Sequence, residues 1–201
     1  PFAITVWDSG KRFFSSLDFN FDREQFPPIE PDRLVKFMPS ESVGVVLFDI
    51  LIANEDRHDE NLVVDNLMEP RVLRVYDHDQ ALFGGGGNLR GIERLNDLMD
   101  RMGISGSTIT GGNRHCLLDA IDKTELFADW FRRIESLPKW YIDDICESAT
   151  RHGLKKSEAK KAAEFLRYRS QNLKDIIRRN QSEFRGISSW KLPNKLLTVL
   201  D

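Results

Sequence analysis

The sequence predicts an α+β domain that is mainly helical and carries a β-hairpin in its first half. Three observations favour this fold class. The apolar stretch 43–53 is long enough for a helix buried on most sides. Two short runs rich in β-branched residues follow it and are separated by turn residues. Most of the chain after residue 90 shows apolar residues at helical spacing.

The first residues predict two short strands, 2–7 and 11–14, joined by a β-turn at 8–11. The turn sequence, Asp-Ser-Gly-Lys, is similar to the end of a Walker phosphate-binding loop. It lacks the first Gly and the Ser or Thr that follows Lys in that motif. The turn is therefore the favoured interpretation.

The β-hairpin is predicted from strand 61–65, turn residues 66–70 and returning strand 71–76. A hairpin brings the end of its second strand back beside the start of its first. Asp77, directly after the second strand, is thus expected to lie close to the polar segment that follows the apolar helix.

The second half of the chain is predicted to be helical. The expected helices cover 92–99, 122–137, 138–146 and 157–177. Ser157 is the expected N-cap of the last helix. The aromatic residues at helical spacing, Trp130, Trp140 and Tyr141 among them, are predicted to be core residues.

Asp56, Asn61 and Asp77 are the residues that indicate a chemistry. Asp56 and Asn61 are five positions apart, and Asp77 follows Asn61 by sixteen. This is the order of the D-x-x-x-x-N loop and metal-binding Asp of kinases. There a carboxylate contacts the acceptor hydroxyl, an amide oxygen binds a metal ion, and a second carboxylate links the metal to the phosphates.

The order of buried helix, polar loop, hairpin and Asp resembles the C-terminal, catalytic lobe of HipA-like kinases. It is similar, more distantly, to the catalytic core of phosphatidylinositol 3- and 4-kinases, which share a D-R-x-x-x-N loop and a D-x-G metal motif. Asp56-Arg57-His58 and Asn61 favour the HipA-like family. The tail is similar too, with 137–140 opening one helix and 167–169 on a later one.

The resemblance implies a protein-kinase-like C-lobe that uses ATP and Mg²⁺. It implies that Asp56 accepts or orients the hydroxyl proton and that Asn61 and Asp77 hold the metal. Arg57 would be structural or would neutralise developing charge. Relatives phosphorylate protein Ser or Thr, and some are bacterial growth-arresting toxins, so a protein substrate and an antitoxin-like partner are expected.

The neighbours of these residues have roles that the sequence leaves open. Asp79 stands where relatives carry Gly, and it is either a further metal ligand or a surface residue. Asp77 is the preferred ligand because it directly follows the apolar strand. His58 either bonds a backbone carbonyl and so orients the loop, which is favoured, or contacts the metal-bound Asp. His78 is predicted to pack under the loop.

The segment before Asp56 contains neither G-x-G-x-x-G nor V-A-I-K, which an N-terminal lobe would supply. The sequence therefore predicts a fragment, with a remnant of that lobe at 1–40 and the catalytic lobe at 41–201. Segment 83–87, a Phe followed by a run of four glycines, occupies the place of an activation segment. Arg90 and Arg94, which follow it, are predicted to contact the acceptor or a phosphate.

Composition is ordinary for a globular domain, with 40% hydrophobic and 30% charged residues. No apolar run reaches the ~18 residues of a membrane span. Cys116 and Cys146 are the only cysteines and are predicted to be buried thiols in a cytoplasmic protein. Net charge is −3, but 151–185 holds 11 Lys or Arg against 4 acids. This basic tail is interpreted as a solvated helix face, with a weak anionic partner as the alternative.

Two other classes of function stay open. One is a metal-dependent phosphohydrolase that uses the five Asp and His residues at 56, 58, 77, 78 and 79. The other is a kinase-fold interaction module without catalysis.

Overall fold

The computed structural model describes residues 4–8, 11–16, 26–84, 90–104 and 114–191. Within these ranges the chain is α+β and mainly helical, with four strands and six α-helices. In chain order these are β1 (Ile4–Asp8), β2 (Lys11–Ser16), α1 (Pro31–Phe37), α2 (Pro39–Ile52), β3 (Leu62–Val64), β4 (Val72–Tyr76), α3 (Gly91–Leu98), α4 (Phe127–Glu135), α5 (Lys139–Ser148) and α6 (Lys156–Arg179).

The four strands form one sheet in the order β1-β2-β4-β3. Strands β3 and β4 pair antiparallel, with Leu62 opposite Val75, which confirms the predicted hairpin. Strands β1 and β2 also pair antiparallel, and Asp8 lies opposite Lys11, as the predicted turn requires. The sequence did not predict that β2 pairs in parallel with β4, because nothing local specifies a pairing between segments so far apart.

Two polar side chains close the β3–β4 hairpin. Asn66 accepts hydrogen bonds at Oδ1 from the backbone N–H groups of Met68 and Glu69, at 2.7 and 3.2 Å. Asp65 accepts at Oδ1 from the N–H groups of Arg71 and Val72, both at 2.9 Å. Such contacts are why Asn and Asp favour turns. They fix the register that returns the chain to residue 77.

Helix α2 packs against α1, α4 and α6. It starts earlier than predicted, with Pro39 at its first turn, and ends where Ala53 adopts a left-handed conformation at φ 52°. Gly44 lets the indole of Trp130 lie directly against this helix, since a Cβ at Gly44 would stand 2.3 Å from the ring. Trp130 is tied there by a hydrogen bond from Nε1 to the Ser40 carbonyl oxygen at 2.7 Å.

One large apolar cluster joins α2 to the sheet and to the later helices. Ile29, Leu34 and Met38 belong to this cluster and are almost fully buried. Part of the segment interpreted as a lobe remnant thus shares its core with the predicted catalytic lobe. Among the residues described, no helix combines the length and apolar character needed to cross a membrane.

Three predictions about the later helices are wrong. Trp140 and Tyr141 are 69% and 43% exposed, because α5 buries Ile142 and Cys146 instead. Ser157 lies inside α6, and the N-cap is Lys155, whose backbone N–H donates to Glu158.

The third wrong prediction is the start of α4, which was expected at residue 122. The helix begins at Phe127, and residues 122–125 before it form non-helical backbone and a turn.

Both cysteines are free thiols, with Cys146 buried and Cys116 partly buried. Burial raises the pKa of Cys116 to about 12 and that of Cys146 to about 11. Both thiols are therefore protonated near neutral pH and weakly nucleophilic, as expected of buried thiols. Most of the predicted activation segment, residues 85–87, lies outside the described residues.

Candidate functional site

The polar loop that follows α2 begins with a turn built by Asn54. This buried residue donates from its backbone N–H to the Asp49 carbonyl oxygen at 2.9 Å and from Nδ2 to Asp49 Oδ1 at 3.0 Å. Its own Oδ1 lies 3.5 Å from the N–H of Asp56, at the limit of a hydrogen bond. The turn directs the loop away from the helix axis and toward the end of β4.

Arg57 joins this loop to the end of β4. Its side chain is fully buried, and it forms a two-point contact with Asp49, from Nε to Oδ2 at 2.8 Å and from Nη2 to Oδ1 at 3.0 Å. It also donates from Nη1 to the Tyr76 carbonyl oxygen at 2.6 Å. Of the two roles that the sequence left open for Arg57, the structural one agrees with this buried position.

His78 lies on the same guanidinium group. Arg57 Nη2 is 2.9 Å from His78 Nδ1, and an arginine can only donate, so Nδ1 accepts and the ring is neutral. Burial and then the Arg57 charge lower the pKa of His78 to about 4. The ring also packs edge-on against Phe48, with centroids 5.6 Å apart. The prediction that His78 packs under the loop is confirmed.

Tyr76 and His78 flank Asp77, so one buried arginine contacts both neighbours of the predicted metal ligand. Asp77 itself is half-buried and has a left-handed backbone, with φ 58°. Asp tolerates this conformation better than most residues, but it still stores strain, which is typical of functional sites.

Asn61 is 2% exposed and has a defined orientation. Its Nδ2 lies 3.3 Å from the Asp56 carbonyl oxygen and 3.0 Å from His58 Nε2. A carbonyl oxygen can only accept, so the amide nitrogen must point inward. Within the part of the chain that is described, no donor reaches Oδ1, which leaves this oxygen available to a ligand.

Among the described residues the His58 ring bonds no backbone carbonyl, so the favoured prediction is wrong, while contact with a metal-bound Asp stays a prediction. Its Nε2 accepts a hydrogen bond from Asn61, and its ring holds the amide that is the candidate metal ligand.

The carboxylates of the site lie close enough to influence one another. Burial, the charge of Asp79 and a hydrogen bond shared with Asp79 raise the pKa of Asp77, and the charge of Asp56 raises it further. Like charges gathered in this way disfavour ionisation. Asp79 is exposed, and its Oδ2 accepts from Gln80 at 3.1 Å.

Sequence reasoning missed Asp49 and His115. Asp49 is the only charged residue of the apolar stretch 43–53 and is fully buried. Burial alone would raise its pKa, but the Arg57 charge and hydrogen bonds from His115 and Arg57 hold the pKa well below its usual range. A lone carboxylate in an apolar helix needs a buried partner, and that signal could have identified it.

His115 reaches Asp49 from the far side of the loop. Its Nδ1 accepts from the Leu117 N–H at 3.2 Å, so Nε2 carries the proton and donates to Asp49 Oδ2 at 3.1 Å. The next residue, Cys116, donates from its N–H to the Arg57 carbonyl oxygen at 3.1 Å. The segment at 115–116 therefore supports the loop at two points.

The prediction that Arg94 contacts an acceptor or a phosphate is wrong. Arg94 is 3% exposed and ion-pairs with Glu55 at 3.1 Å. It donates to the carbonyl oxygens of Ala53, at 2.9 Å, and Leu82. The buried Arg94 guanidinium thus supplies hydrogen-bond donors to backbone carbonyl oxygens near the end of α2. Arg90, in contrast, is exposed and precedes α3.

The donor set fits a metal that nucleotide phosphates help to bind. Mg²⁺ in such sites takes one or two carboxylates and completes its shell with phosphates and water. Asp77 and the outward Oδ1 of Asn61 are oxygen donors of this kind, and a cation would relieve the repulsion around Asp77. Over the described ranges there is no group of three or more His, Cys, Asp or Glu side chains that could hold a metal ion by themselves.

Comparison with known proteins gives no match: no family model, no curated protein and no solved structure matches this chain.

Proposed function

We propose that this chain contains the catalytic lobe of an ATP- and Mg²⁺-dependent phosphotransferase of the HipA-like type, with a protein Ser or Thr hydroxyl as acceptor. The observation that carries the proposal is the position of Arg57. It follows Asp56 in the chain and bonds both neighbours of Asp77. This supports the proposal, because phosphoryl transfer requires two carboxylates that act at one place.

Each residue has a defined task in this reaction. The acceptor oxygen forms a bond to the γ-phosphorus, the bond to the ADP oxygen breaks, and the hydroxyl proton passes to Asp56. Asn61 Oδ1 and the Asp77 carboxylate would hold Mg²⁺, which supplies neutralisation of phosphate charge. His58 keeps the Asn61 amide in its orientation. Arg57 is a positioning residue rather than a phosphate ligand.

Nucleotide binding by this chain should be weak and should require Mg²⁺. Arg57 and Arg94, the two arginines of the candidate site whose side chains are buried, are committed to ion pairs with Asp49 and Glu55. The groups that remain are oxygen acceptors, which reach phosphate only through a metal ion. Efficient transfer would also need the phosphate-binding loop and strand Lys that kinases supply from an N-terminal lobe.

The metal-dependent phosphohydrolase is a weaker alternative because of how its histidines are used. His58 Nε2 accepts from Asn61, and His78 Nδ1 accepts from Arg57. His115 is buried and donates a hydrogen bond to Asp49. Incubation with a generic phosphate ester and Mn²⁺ in the absence of ATP separates the two classes, since only the phosphohydrolase should release phosphate.

Paramagnetic mapping tests the location of the site. Mn²⁺ in place of Mg²⁺, added with ATP, should broaden the NMR signals of residues 56–61 and 76–79 before those of other segments. Asp77→Asn should abolish this selectivity. Asp59→Asn is the matched control, because Asp59 is an exposed carboxylate of the same loop. Uniform broadening in the wild-type chain, or equal effects of both substitutions, would refute the proposal.

A further inference from the structure

Asp49 is bonded at four points. Oδ1 accepts from Asn54 Nδ2 and Arg57 Nη2, both at 3.0 Å, and Oδ2 accepts from Arg57 Nε at 2.8 Å and His115 Nε2 at 3.1 Å. These four donors occupy the lone-pair directions of a carboxylate. The side chain is fully buried.

The contact with Asp49 determines where the rest of Arg57 points. A guanidinium group is planar and rigid, so fixing Nε and Nη2 on a carboxylate also fixes the direction of Nη1. In this orientation Nη1 meets the Tyr76 carbonyl oxygen and Nη2 meets His78 Nδ1. The orientation of one side chain thus relates the loop at Asp56 to the backbone of Tyr76 and the ring of His78, on either side of Asp77.

Stability alone does not account for such a pair. Buried ion pairs are costly to desolvate, and apolar residues of similar volume often replace them without loss of stability. An apolar pair could not make the hydrogen bonds that Arg57 donates to Tyr76 and His78 at the end of β4. The geometry that these bonds impose is therefore a better reason for the ion pair than stability.

We infer that Asp49 is a positioning residue of the site, which orients Arg57 and thereby sets Asp56 and Asp77 at their working separation, and that His115 supports it in this task. The inference rests on the proposed function, since the separation matters only if both carboxylates act together. Hydrogen-bonding groups that orient the ligands of a metal site typically contribute about 10–100-fold to metal affinity or activity, and Asp49 would act in this way through Arg57.

The test is the affinity of the chain for Mn·ATP, measured by calorimetry at a temperature where each variant is folded by circular dichroism. Asp49→Asn should weaken binding roughly tenfold or more. Arg57→Lys should lose as much, because Lys keeps the charge but cannot make the two-point contact. His115→Phe, which removes one of four donors, should lose less. Ile134→Ala, a buried substitution on α4 away from the network, is the stability control and should bind like the wild type.

A spectroscopic readout separates positioning from general destabilisation. The ¹⁵N chemical shift of His78 Nδ1 reports whether this nitrogen accepts from Arg57. It should move in Asp49→Asn and Arg57→Lys and stay unchanged in Ile134→Ala.

Wild-type affinity in folded Asp49→Asn, or an equal loss of affinity in Ile134→Ala, would overturn the inference. If Asp49→Asn does not fold, the inference would be overturned by wild-type affinity for Mn·ATP in both Arg57→Lys and His115→Phe. Failure of the proposed function has a different signature, because Asp77→Asn would then bind Mn·ATP as well as the wild type does.

Discussion

Asn61 donates a hydrogen bond from Nδ2 to the carbonyl oxygen of Asp56 at 3.3 Å, which closes the polar loop on itself. The bond fixes which end of the amide faces the interior and which faces out. Because His58 accepts from the same nitrogen, rotation of the amide would lose both bonds. The proposed function needs an amide oxygen and a carboxylate from this one turn, and these two bonds would hold the amide in place for it.

The left-handed backbone of Asp77 predicts an unusual order of stabilities. At φ 58°, a Cβ is costly and glycine is not. Asp77→Gly should therefore be more stable than Asp77→Ala by about 1 kcal/mol, as measured by urea unfolding. The pair Asp79→Gly and Asp79→Ala is the control, because residue 79 is not among the described positive-φ residues, and there alanine should be the more stable. The same order at both positions would contradict the assigned backbone.

The charge of Asp56 should influence the pKa of Asp77. The charge of Asp56 contributes to the raised pKa of Asp77, so Asp56→Asn should lower that pKa. The ¹³C carboxyl resonance of Asp77, followed against pH, measures it. Glu60→Gln is an exposed charge control in the same loop and should have little effect. An unchanged Asp77 pKa in Asp56→Asn would show that the two carboxylates do not face one site.

Asp56→Asn also tests the chemical role of this residue. It keeps the shape of the side chain but removes the proton acceptor, so Mg·ATP should still bind. In any form of the protein that transfers phosphate, turnover should fall by about 10²–10⁴-fold, the usual contribution of a general base. Unchanged turnover in steady-state kinetics would refute the role.

His78 should make the fold sensitive to mild acid. Its pKa is about 4 in the folded chain, against an ordinary value near 6.5, so between these values the unfolded chain binds more protons. Stability must then rise with pH across this window and fall when the pH is lowered from 7 to 5. The lowered pKa of His115 acts in the same direction.

Urea unfolding at pH 7 and pH 5 measures this dependence. His78→Gln keeps an acceptor for Arg57 but cannot be protonated, so it should lose less stability on acidification than the wild type. Equal losses in both proteins would exclude His78 as a source of the pH dependence.

Gly44 should be intolerant of a side chain. A Cβ at this position would stand 2.3 Å from the Trp130 ring, so Gly44→Ala should lower the free energy of unfolding by about 1–3 kcal/mol despite the better helix propensity of alanine. In a Trp130→Leu background the same substitution should cost much less. Thermal unfolding of the wild type, the two single variants and the double variant gives the coupling energy between Gly44 and Trp130. If the effects of the two substitutions add, the close contact between Gly44 and the Trp130 ring is contradicted.

The sequence predicted what local patterns specify and failed where distant segments meet. The β3–β4 hairpin follows from turn residues such as Asn66, and the buried α2 from an unbroken apolar run. Helical spacing placed Trp140 and Tyr141 on a helix but could not say which side of α5 faces the core. The parallel pairing of β2 with β4 depends on tertiary contacts that no short window contains.

The same distinction applies to the candidate site. The residues proposed to contact ligand, Asp56, Asn61 and Asp77, are recognisable from spacing because they follow one another on a loop and a hairpin. Their supports are not, because Asp49 lies in a helix and His115 lies 66 residues further along the chain. Arg94 was assigned to a ligand from its place after a glycine run, whereas burial shows that it binds backbone carbonyls.

Calorimetric titration of the chain with ATP, with and without Mg²⁺, tests the central claim most directly. Asp77 and Asn61 offer only oxygen atoms, so we expect weak binding with Mg²⁺, none without it, and loss of the Mg²⁺-dependent signal in Asp77→Asn but not in Asp59→Asn. Tight binding of ATP in the absence of metal, or Mg²⁺-dependent binding that survives in Asp77→Asn, would contradict the assignment of Asp56, Asn61 and Asp77 to phosphoryl transfer.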